Sequence, residues 1–506
     1  MLSLLIYLIV PIFSEVVLDG NTLRITGEAT VTPDMVSQYK SATNVCTISS
    51  QGDLTIQEST FTGFSSLKQL EITTTGSVTF TGLVTDVSTL ALFISCTTIQ
   101  SLSTAFPVVD SYSLNVSDFQ SQTTQNIKAK NITIESQQQI QFCLDSNLKQ
   151  SIQYITLTGN VINLEQQSFQ EVSNLQMLKI RATGEVNIKL DSFLSSEIEN
   201  IDIESGGAIN IGQQAFQNCA NIDHLRLVTN AEVNLKLASF LHSKIEHIYI
   251  RAEGPVNFEQ QAFQQVYDTE EMYVYSNDSI NFELESFIRC QVATFIIELN
   301  GTINFEQQCF QETYNLQNFT VIARDSINFN LLSFISSSVV NATLISTNGS
   351  IYFGQQAFQN CRNLSYITIK AAGDVTFGLE AFAGTDVEFI YISPYEEDDD
   401  KLRLLSSSNN VVVGQNSFMN CKSLQEVSIK SDGNIEIQQG AFAESQNLRD
   451  VDLKASQKVA VQTNAFQNCK SLTDVSIDAS QKQVDDGAYH GCDHLNHKKK
   501  GGLSGG

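Results

Sequence analysis

The chain has 506 residues, more than the roughly 250–300 at which a single globular core stops growing, so it must contain several domains or one repeat array. Hydrophobic residues make up 42% of the chain and recur with a period, and charged residues make up only 17%, which together exclude a disordered protein. The formal net charge of −26, with no basic stripe among aromatic residues, excludes binding to nucleic acid or anionic lipid.

Residues 1–14, MLSLLIYLIVPIFS, form a short apolar run at the start of the chain. The run has the length of the apolar part of a signal peptide and is too short to cross a bilayer core of roughly 30 Å. It contains no Lys or Arg, so an N-terminal buried strand or a membrane anchor is the alternative. We predict a signal peptide and an extracellular or cell-surface protein.

Eight Asn-x-Ser/Thr sequons agree with secretion. Because Asn, Ser and Thr are abundant in this chain, some of these sequons arise by chance. The predicted glycosylation sites are Asn115, Asn131, Asn277, Asn300, Asn318, Asn341, Asn348 and Asn363.

Residues 15–150 follow the repeat of the later chain only loosely. The segment from Gly52 to Ile72 matches it well and contributes Phe61, whereas Asn147 stands where an aromatic residue is expected. We interpret residues 15–150 as degenerate N-terminal repeats that cap the array, with a separate capping domain as the alternative.

A column of aromatic residues recurs every 23 to 24 residues from residue 151 onward, with one longer interval. Its members are Phe169, Phe193, Phe216, Phe240, Phe263, Phe287, Phe310, Phe334, Phe358, Phe382, Phe418, Phe442, Phe466 and Tyr489. This period lies in the leucine-rich-repeat range and indicates a solenoid, which we predict over residues 151–496. Alternate repeats differ and like repeats lie 47 residues apart, so pairs of coils were duplicated.

Within one coil, from His247 to Phe263, two short runs alternate between apolar and polar residues. Each run is predicted to be a half-buried strand, and Gly or polar residues between the runs supply a turn. The aromatic residue is then predicted to enter the core from a short helical or irregular turn. The expected fold class is therefore a β-dominated leucine-rich-repeat solenoid.

Two polar segments interrupt or end this pattern. The interval between Phe382 and Phe418 is 36 residues long, and its excess is predicted to be a loop insertion between coils at residues 393–408. Residues 497–506 begin with His497 and three Lys and continue into Gly and Ser, which is typical of a linker. We expect membrane attachment only through a tether outside this chain, and a longer natural C-terminus is the alternative.

The segments GQQAFQNCRNLSYITI, from Gly354 to Ile369, and GQNSFMNCKSLQEVSI, from Gly414 to Ile429, resemble the repeat unit of BspA-like leucine-rich-repeat surface proteins. The resemblance covers most of residues 50–495 and is greatest to the expanded surface repertoire of parasitic protists. The Pro that usually follows the paired Ile residues in that family is absent here. The resemblance implies a surface protein that takes part in adhesion to host cells or matrix.

Cysteine positions favour packing over disulfides. Six of the ten Cys lie three residues after a column aromatic, where Val172 and Val266 also occur. Only Cys469 and Cys492, in adjacent coils, are expected to be near enough to pair without rearrangement. A zinc site at His490, Cys492 and His494 is disfavoured, because the last coil simply repeats the motif.

No set of nucleophile and base stands out, and neither GxSxG nor HExxH occurs. We therefore predict that the protein is not an enzyme and has no cofactor and no metal site.

The first of the two predicted strands in each coil alternates between inward and outward residues. We assign its outward positions by counting back from the aromatic residue of the second predicted strand. In the central coils these positions are aromatic or apolar, which is typical of interaction sites. The alternative is that a β-rich face contains β-forming residues for structural reasons alone. The predicted ligand-binding residues are Tyr249, Tyr273, Tyr275, Ile296, Thr320, Ile322 and Leu344.

We therefore predict an extracellular adhesion or recognition protein that binds a host-cell or matrix protein or glycan through the solenoid face, with no nucleic-acid partner. The alternative is a passive glycosylated surface-coat or antigen protein without a specific ligand. A glycan on Asn277 or Asn300, beside the predicted binding residues, would favour the coat.

Overall fold

The computed structural model describes residues 14–100, 108–117, 119, 128–144, 149–395 and 409–495. The predicted signal peptide (except Ser14), residues 396–408 of the predicted insertion and the tail at 497–506 lie outside the described residues. The chain forms two compact units, Met1–Gly206 and Gly207–Gly506. The domain boundary predicted near residue 150 stays a prediction.

Each coil of the solenoid contains two strands and one turn. Side chains alternate along both strands, so that every second residue enters the core, as in Ile245–Ala252, where Ile248 and Ile250 are buried and Tyr249 is exposed. We call the strand that follows the aromatic turn the first strand and the shorter one the second strand. The predicted β-dominated solenoid with coils of about 23 residues is confirmed.

In the first unit, first strands and second strands follow one another along the chain, except that no second strand is described between Val108–Val116 and Lys128–Ser136. The first strands are Thr22–Thr26, Val45–Ser50, Gln69–Thr74, Ala91–Cys96, Val108–Val116, Lys128–Ser136, Tyr154–Gly159, Leu175–Ala182 and Ile198–Ser205. The second strands are Thr30–Val31, Leu54–Ile56, Ser77–Phe80, Thr98–Gln100, Gln139–Phe142, Val161–Leu164 and Val186–Ile188. The first strands from Val45 to Gly159 pair in parallel and in register.

The N-terminal end of the first unit is built differently from the coils. Strand Glu15–Asp19 pairs antiparallel with Thr22–Thr26 and so covers the edge of the first-strand sheet. An α-helix at Pro33–Val36 and a 3₁₀ helix at Ser37–Tyr39 follow. Among the described residues, no helix has the length and apolar character needed to span a membrane.

The second unit repeats the same coil more regularly. Its first strands are Ile222–Thr229, Ile245–Ala252, Thr269–Ser276, Val292–Leu299, Asn318–Ala323, Asn341–Ser346, Tyr366–Ala371, Phe389–Pro394, Glu426–Ser431, Asp450–Ala455 and Asp474–Asp478. Its second strands are Ile209–Ile211, Val233–Leu235, Val256–Phe258, Ile280–Phe282, Ile303–Phe305, Ile327–Phe329, Ile351–Phe353, Val375–Phe377, Val411–Val413, Ile435–Ile437, Lys458–Val461 and Gln481–Val484.

Within the second unit, the predicted column of aromatic residues from Phe216 to Tyr489 forms a stack through the core. Phe287, Phe310 and Phe334 are each at most 1% exposed, and the ring centroids of Phe310 lie 4.8 Å from Phe287 and 4.6 Å from Phe334. Burial of an aromatic side chain stabilises a fold only when neighbours surround it, and here the neighbours come from adjacent coils. The core therefore depends on the stacking of coils.

The turn that carries each aromatic is irregular, which is one of the two predicted alternatives. Around Phe263, Gln261 and Gln265 have positive φ angles of 59° and 55°, and most coils of the array repeat this pair. Left-handed backbone costs energy for residues other than Gly. Hydrogen bonds between coils offset this cost, because the amides of Phe263 and Gln265 donate to the carbonyls of Ser286 at 2.7 Å and Ile288 at 3.0 Å.

The predicted insertion lies within a coil and not between coils. Strand Phe389–Pro394 precedes the insertion and strand Val411–Val413 follows it, and each pairs with the equivalent strands of the neighbouring coils. The prediction was therefore wrong in its placement: the extra residues lie between the first and second strands of one coil. Ser393 and Pro394 belong to the first strand.

Candidate functional site

The outward face of the first strands in the second unit contains the predicted binding residues. Parallel pairing places Tyr249 directly beside Tyr273, and Arg251 directly beside Tyr275. We use the name central strip for the outward side chains of four consecutive first strands. Its members are Tyr249, Arg251, Tyr273, Tyr275, Ile296, Glu298, Thr320 and Ile322.

The aromatic end of the central strip is preorganised by contacts among its own side chains. The rings of Tyr249 and Tyr273 stack with centroids 5.4 Å apart and planes 12° apart. The guanidinium carbon of Arg251 lies 4.8 Å from the centre of the Tyr275 ring, a cation–π contact. Because the rings already hold each other in place, a ligand that packs on them would lose little side-chain entropy.

Polar contacts fix the same group. The Tyr273 hydroxyl donates to a carboxylate oxygen of Glu298 at 3.0 Å, and Arg251 donates to Glu253 at 3.2 Å. The pKa of Tyr273 is raised to about 12, mainly by burial and in second place by the hydrogen bond to Glu298. The Tyr273 hydroxyl is therefore protonated at neutral pH and acts as a hydrogen-bond donor.

The remaining predicted residues lie on the same face, with one exception. Ile296, Thr320 and Ile322 are half-buried and point outward. Leu344 is fully buried, so its prediction as a surface residue was wrong.

The outward residues of that coil are Thr343 and Ile345, which pair with Thr320 and Ile322. The error arises because the turn after Ser346 contains one residue more than the turn after Ala323, which shifts the count from the second-strand aromatic.

Sequence analysis missed a second aromatic group on this face. The rings of Tyr366 and Phe389 stack at 5.3 Å, and those of Phe389 and Tyr391 lie 6.3 Å apart with planes 4° apart. Tyr366 is 47% exposed and Tyr391 is 40% exposed. The spacing of Phe389 and Tyr391 was an available signal, because alternate residues of a strand lie on the same face.

The second strands carry a ladder of asparagine side chains that the sequence reasoning also missed. Six Asn side chains in successive coils of the second unit are joined by five hydrogen bonds, in each of which the amide nitrogen donates to the Asn oxygen of the preceding coil at 2.8–3.1 Å. These residues are Asn210, Asn234, Asn257, Asn281, Asn304 and Asn328. The recurring pattern of Val or Ile, Asn and an apolar residue was the available signal. The ladder leaves the second-strand face polar.

The predicted glycosylation sites differ in exposure. Six of these Asn residues are exposed, and Asn131 and Asn341 are half-buried. Asn300 donates to Asn277 at 2.6 Å, and Asn341 donates to Asn318 at 3.2 Å, so two pairs of sequons lie on adjacent coils. Whether any of these sites carries a glycan stays a prediction.

All ten Cys are thiols in the structure, including Cys469 and Cys492. Nine of them are buried, and burial raises the pKa of Cys361 and of Cys421 to about 12. The packing role predicted for the six Cys of the turns agrees with their burial. Among the described residues, no group of three or more His, Cys, Asp or Glu could hold a metal ion.

We expect the native protein to react with iodoacetamide at only one position. The thiolate is the reactive form; burial keeps the reagent from the nine buried Cys, and the raised pKa values of Cys361 and Cys421 make their thiolates scarce. Peptide mass spectrometry after alkylation at pH 8 should find label on Cys143, which is the one partly exposed Cys. Comparable labelling of Cys361 or Cys421 without denaturant would contradict the burial described above.

Comparison with protein families gives a match over most of the chain. The profile of the "BspA type Leucine rich repeat region (6 copies)" matches residues 145–270, 186–317, 280–397 and 401–499. No curated protein sequence matches this chain.

Several solved structures are similar to this chain at low identity. CroV588, a circular leucine-rich-repeat protein, is 11% identical, with 92% of this chain and 70% of that chain covered and a TM-score of 0.28. A leucine-rich cell surface protein from Faecalibacterium prausnitzii is 12% identical over 97% of both chains, with a TM-score of 0.20. A leucine-rich-repeat protein from Eubacterium ventriosum is 12% identical over 94% of this chain and 91% of that chain, with a TM-score of 0.16.

Proposed function

The chain belongs to the BspA-type leucine-rich-repeat family, and from that premise we propose that it is an extracellular or cell-surface recognition protein that binds a host-cell or matrix protein or glycan through the central strip. Leucine-rich-repeat solenoids are typically interaction scaffolds without enzymatic activity, and the family supports a surface or protein-interaction role. The proposed ligand class and binding residues go beyond the family match and are supported by the contacts within the central strip.

The observation that carries the proposal is the stacked aromatic group of the central strip. Tyr249 is 37% exposed, and Tyr273, directly beside it, and Tyr275 lie on the next coil. Tyr and Arg are the residue types that dominate binding energy at protein interfaces. The C-terminal coils of the same unit instead place Lys430, Lys454 and Asp452 at these positions, and Lys454 pairs with Asp452 at 3.0 Å.

A passive, glycosylated surface coat is the rival function. The exposed and adjacent sequons at Asn277 and Asn300 favour it, because Asn277 directly follows the strand that contains Tyr273 and Tyr275. A large glycan at this position would cover the aromatic group. Glycopeptide mass spectrometry of the native protein distinguishes the two functions: unmodified Asn277 and Asn300 agree with recognition, and full occupancy agrees with a coat.

The triple substitution Tyr249→Ser, Tyr273→Ser and Tyr275→Ser is expected to weaken binding to the ligand-bearing surface at least about tenfold. Loss of the stacked rings removes the central contact area, whereas outward positions contribute little to the core, so the melting temperature should change by no more than about 3 °C. Binding is measured on cells and on immobilised matrix proteins with the full chain.

The matched control is the double substitution Tyr267→Ser and Tyr352→Ser. These tyrosines are 36% and 44% exposed and lie outside the central strip, since Tyr267 precedes the strand Thr269–Ser276 and Tyr352 belongs to a second strand. The control should bind like the unmodified chain. Equal binding by the triple variant and the control would rule out the central strip as the binding site.

A further inference from the structure

We infer that the second unit also contains a pocket for an anionic sugar residue, formed where one short coil lies between two longer ones. The pocket has a volume of about 350 Å³, at the lower end of the roughly 300–1,000 Å³ of small-molecule sites. It lies at the edge of the coils between the aromatic turn and the first strand, and the central strip contributes no residue to it. The inference therefore does not depend on the proposed function.

The pocket follows from an alternation in loop length. In the coils of Phe310 and Phe358, the buried residues Leu316 and Leu364 lie six positions after the aromatic. In the intervening coil of Phe334, the equivalent Val339 lies only five positions after it. The loop of the middle coil is one residue shorter than those on both sides, so it forms the floor of a recess.

Side-chain size decides that this recess stays open. The short coil of Phe287 has the same loop length, but it places Arg289 and Gln291 in its loop, and Arg289 pairs with Glu312 at 2.8 Å. The equivalent residues 47 positions later are Ser336 and Ser338. Small hydroxyl side chains at these two positions, with Ser337 between them, leave the space unfilled and polar.

One wall of the pocket contains a buried polar group without a partner. Thr313 is 2% exposed, and its hydroxyl has no hydrogen-bond partner in the described part of the chain. An unsatisfied buried hydroxyl costs about 1–3 kcal/mol. Because this hydroxyl is closed to solvent, a hydroxyl or carboxylate oxygen of a ligand in the pocket would become its partner after a rotation of the Thr313 side chain.

The opposite wall supplies the only charge. Arg362 is exposed and forms no ion pair within the described residues, and no Asp or Glu lines the pocket. This is unusual in a chain with a net charge of −26. A guanidinium group binds a carboxylate with two parallel hydrogen bonds.

The rest of the lining suits a sugar better than a bare anion. The amides of Asn360 and Asn363 and the serine hydroxyls of the floor can both donate and accept hydrogen bonds, as sugar hydroxyls require. Tyr314, 48% exposed, adds an apolar ring face at the mouth of the pocket. A carboxylate held by Arg362 together with several hydroxyls describes a uronic or sialic acid residue.

The test is a ligand-observed NMR titration of the full chain produced without N-glycans, because Asn363 is a predicted glycosylation site in the pocket wall. The probes are glucuronic acid, glucose as its uncharged match, and inorganic sulfate as a bare anion. We expect saturable binding of glucuronic acid, with glucose and sulfate each bound at least about tenfold more weakly. Absence of glucuronic acid binding, or sulfate binding of equal affinity, would overturn the assignment.

Three variants localise the site. Arg362→Gln should weaken glucuronic acid binding about tenfold or more, because it removes the only charge of the lining. The double substitution Ser336→Arg and Ser338→Gln should abolish binding without unfolding, since it copies the loop that already exists at Arg289 and Gln291. Arg289→Gln, the matched control, should bind normally.

Unchanged binding by Arg362→Gln or by the double variant would overturn the proposal. The triple Tyr variant of the central strip should retain glucuronic acid binding, so a failure of either proposal can be recognised separately.

Discussion

Replacing Phe310 with Ala is expected to lower the free energy of unfolding by about 3–5 kcal/mol. The ring is 1% exposed and packs against six other phenylalanine rings, among them Phe287 at 4.8 Å and Phe334 at 4.6 Å. Removal leaves a cavity that the backbone ladders on both sides prevent from closing. Because coils are stabilised by their neighbours, the defect should also split the unfolding transition, which calorimetry would detect.

Tyr352→Ala is the control for this substitution. Tyr352 is an aromatic residue of a neighbouring coil but is 44% exposed, so its loss should cost no more than about 0.5 kcal/mol. Equilibrium unfolding in urea, followed by circular dichroism, gives both values. A loss of less than about 1 kcal/mol for Phe310→Ala would contradict the aromatic stack as the basis of stability.

Replacing Gly414 with Ala is expected to cost about 1–3 kcal/mol through overpacking. A Cβ atom on Gly414 would lie 2.1 Å from the carbonyl oxygen of Phe377 in the preceding coil. The amide of Gly414 already donates to that oxygen at 3.0 Å, so relieving the clash must stretch this bond or move the coil. The position lies between two stacked coils, and neither can shift without disturbing the next.

The equivalent position of the following coil provides the control. Gln438 donates from its amide to Val413 at 2.9 Å and carries a side chain without such a clash. Gln438→Ala should therefore change the free energy of unfolding by less than about 1 kcal/mol. If Gly414→Ala proved as mild as this control in the same urea titration, the close approach of the two coils would be refuted.

Much of the fold could be predicted because it depends on periodicity. The spacing of the Phe column predicted the length of a coil. The alternation of apolar and polar residues predicted which side chains of Ile245–Ala252 enter the core. These features are local and repeat many times, so single irregularities do not hide them. The exchange of Cys with Val at one turn position likewise predicted buried thiols.

What could not be predicted depends on single residues in the turns. Because the turn after Ser346 contains one additional residue, counting placed Leu344 on the surface although it is buried. The loop after Phe334 is one residue shorter than its neighbours, and this forms the pocket beside Arg362. A period that varies between 23 and 24 residues does not show which loop of a coil contains the one additional residue. The paired left-handed residues of each turn were hidden for a related reason, because Gln, Glu and Ser often occupy positions where Gly or Asn would reveal them.

The contacts of the candidate site also could not be predicted from the sequence. Sequence counting placed Tyr249, Tyr273 and Tyr275 on one face, but the parallel register determines that Tyr249 stacks on Tyr273 while Tyr275 packs against Arg251. The register also explains why Glu298 reaches the Tyr273 hydroxyl from the next strand.

The central claim is that this solenoid recognises a specific partner. The most direct test is a binding isotherm of the full, folded chain on host-cell surfaces and on purified matrix proteins and glycans. Recognition predicts saturable binding to at least one of these surfaces that unlabelled protein competes away. Binding that stays linear with concentration and is not reduced by competitor, for protein shown to be folded by circular dichroism, would contradict recognition and favour the passive coat.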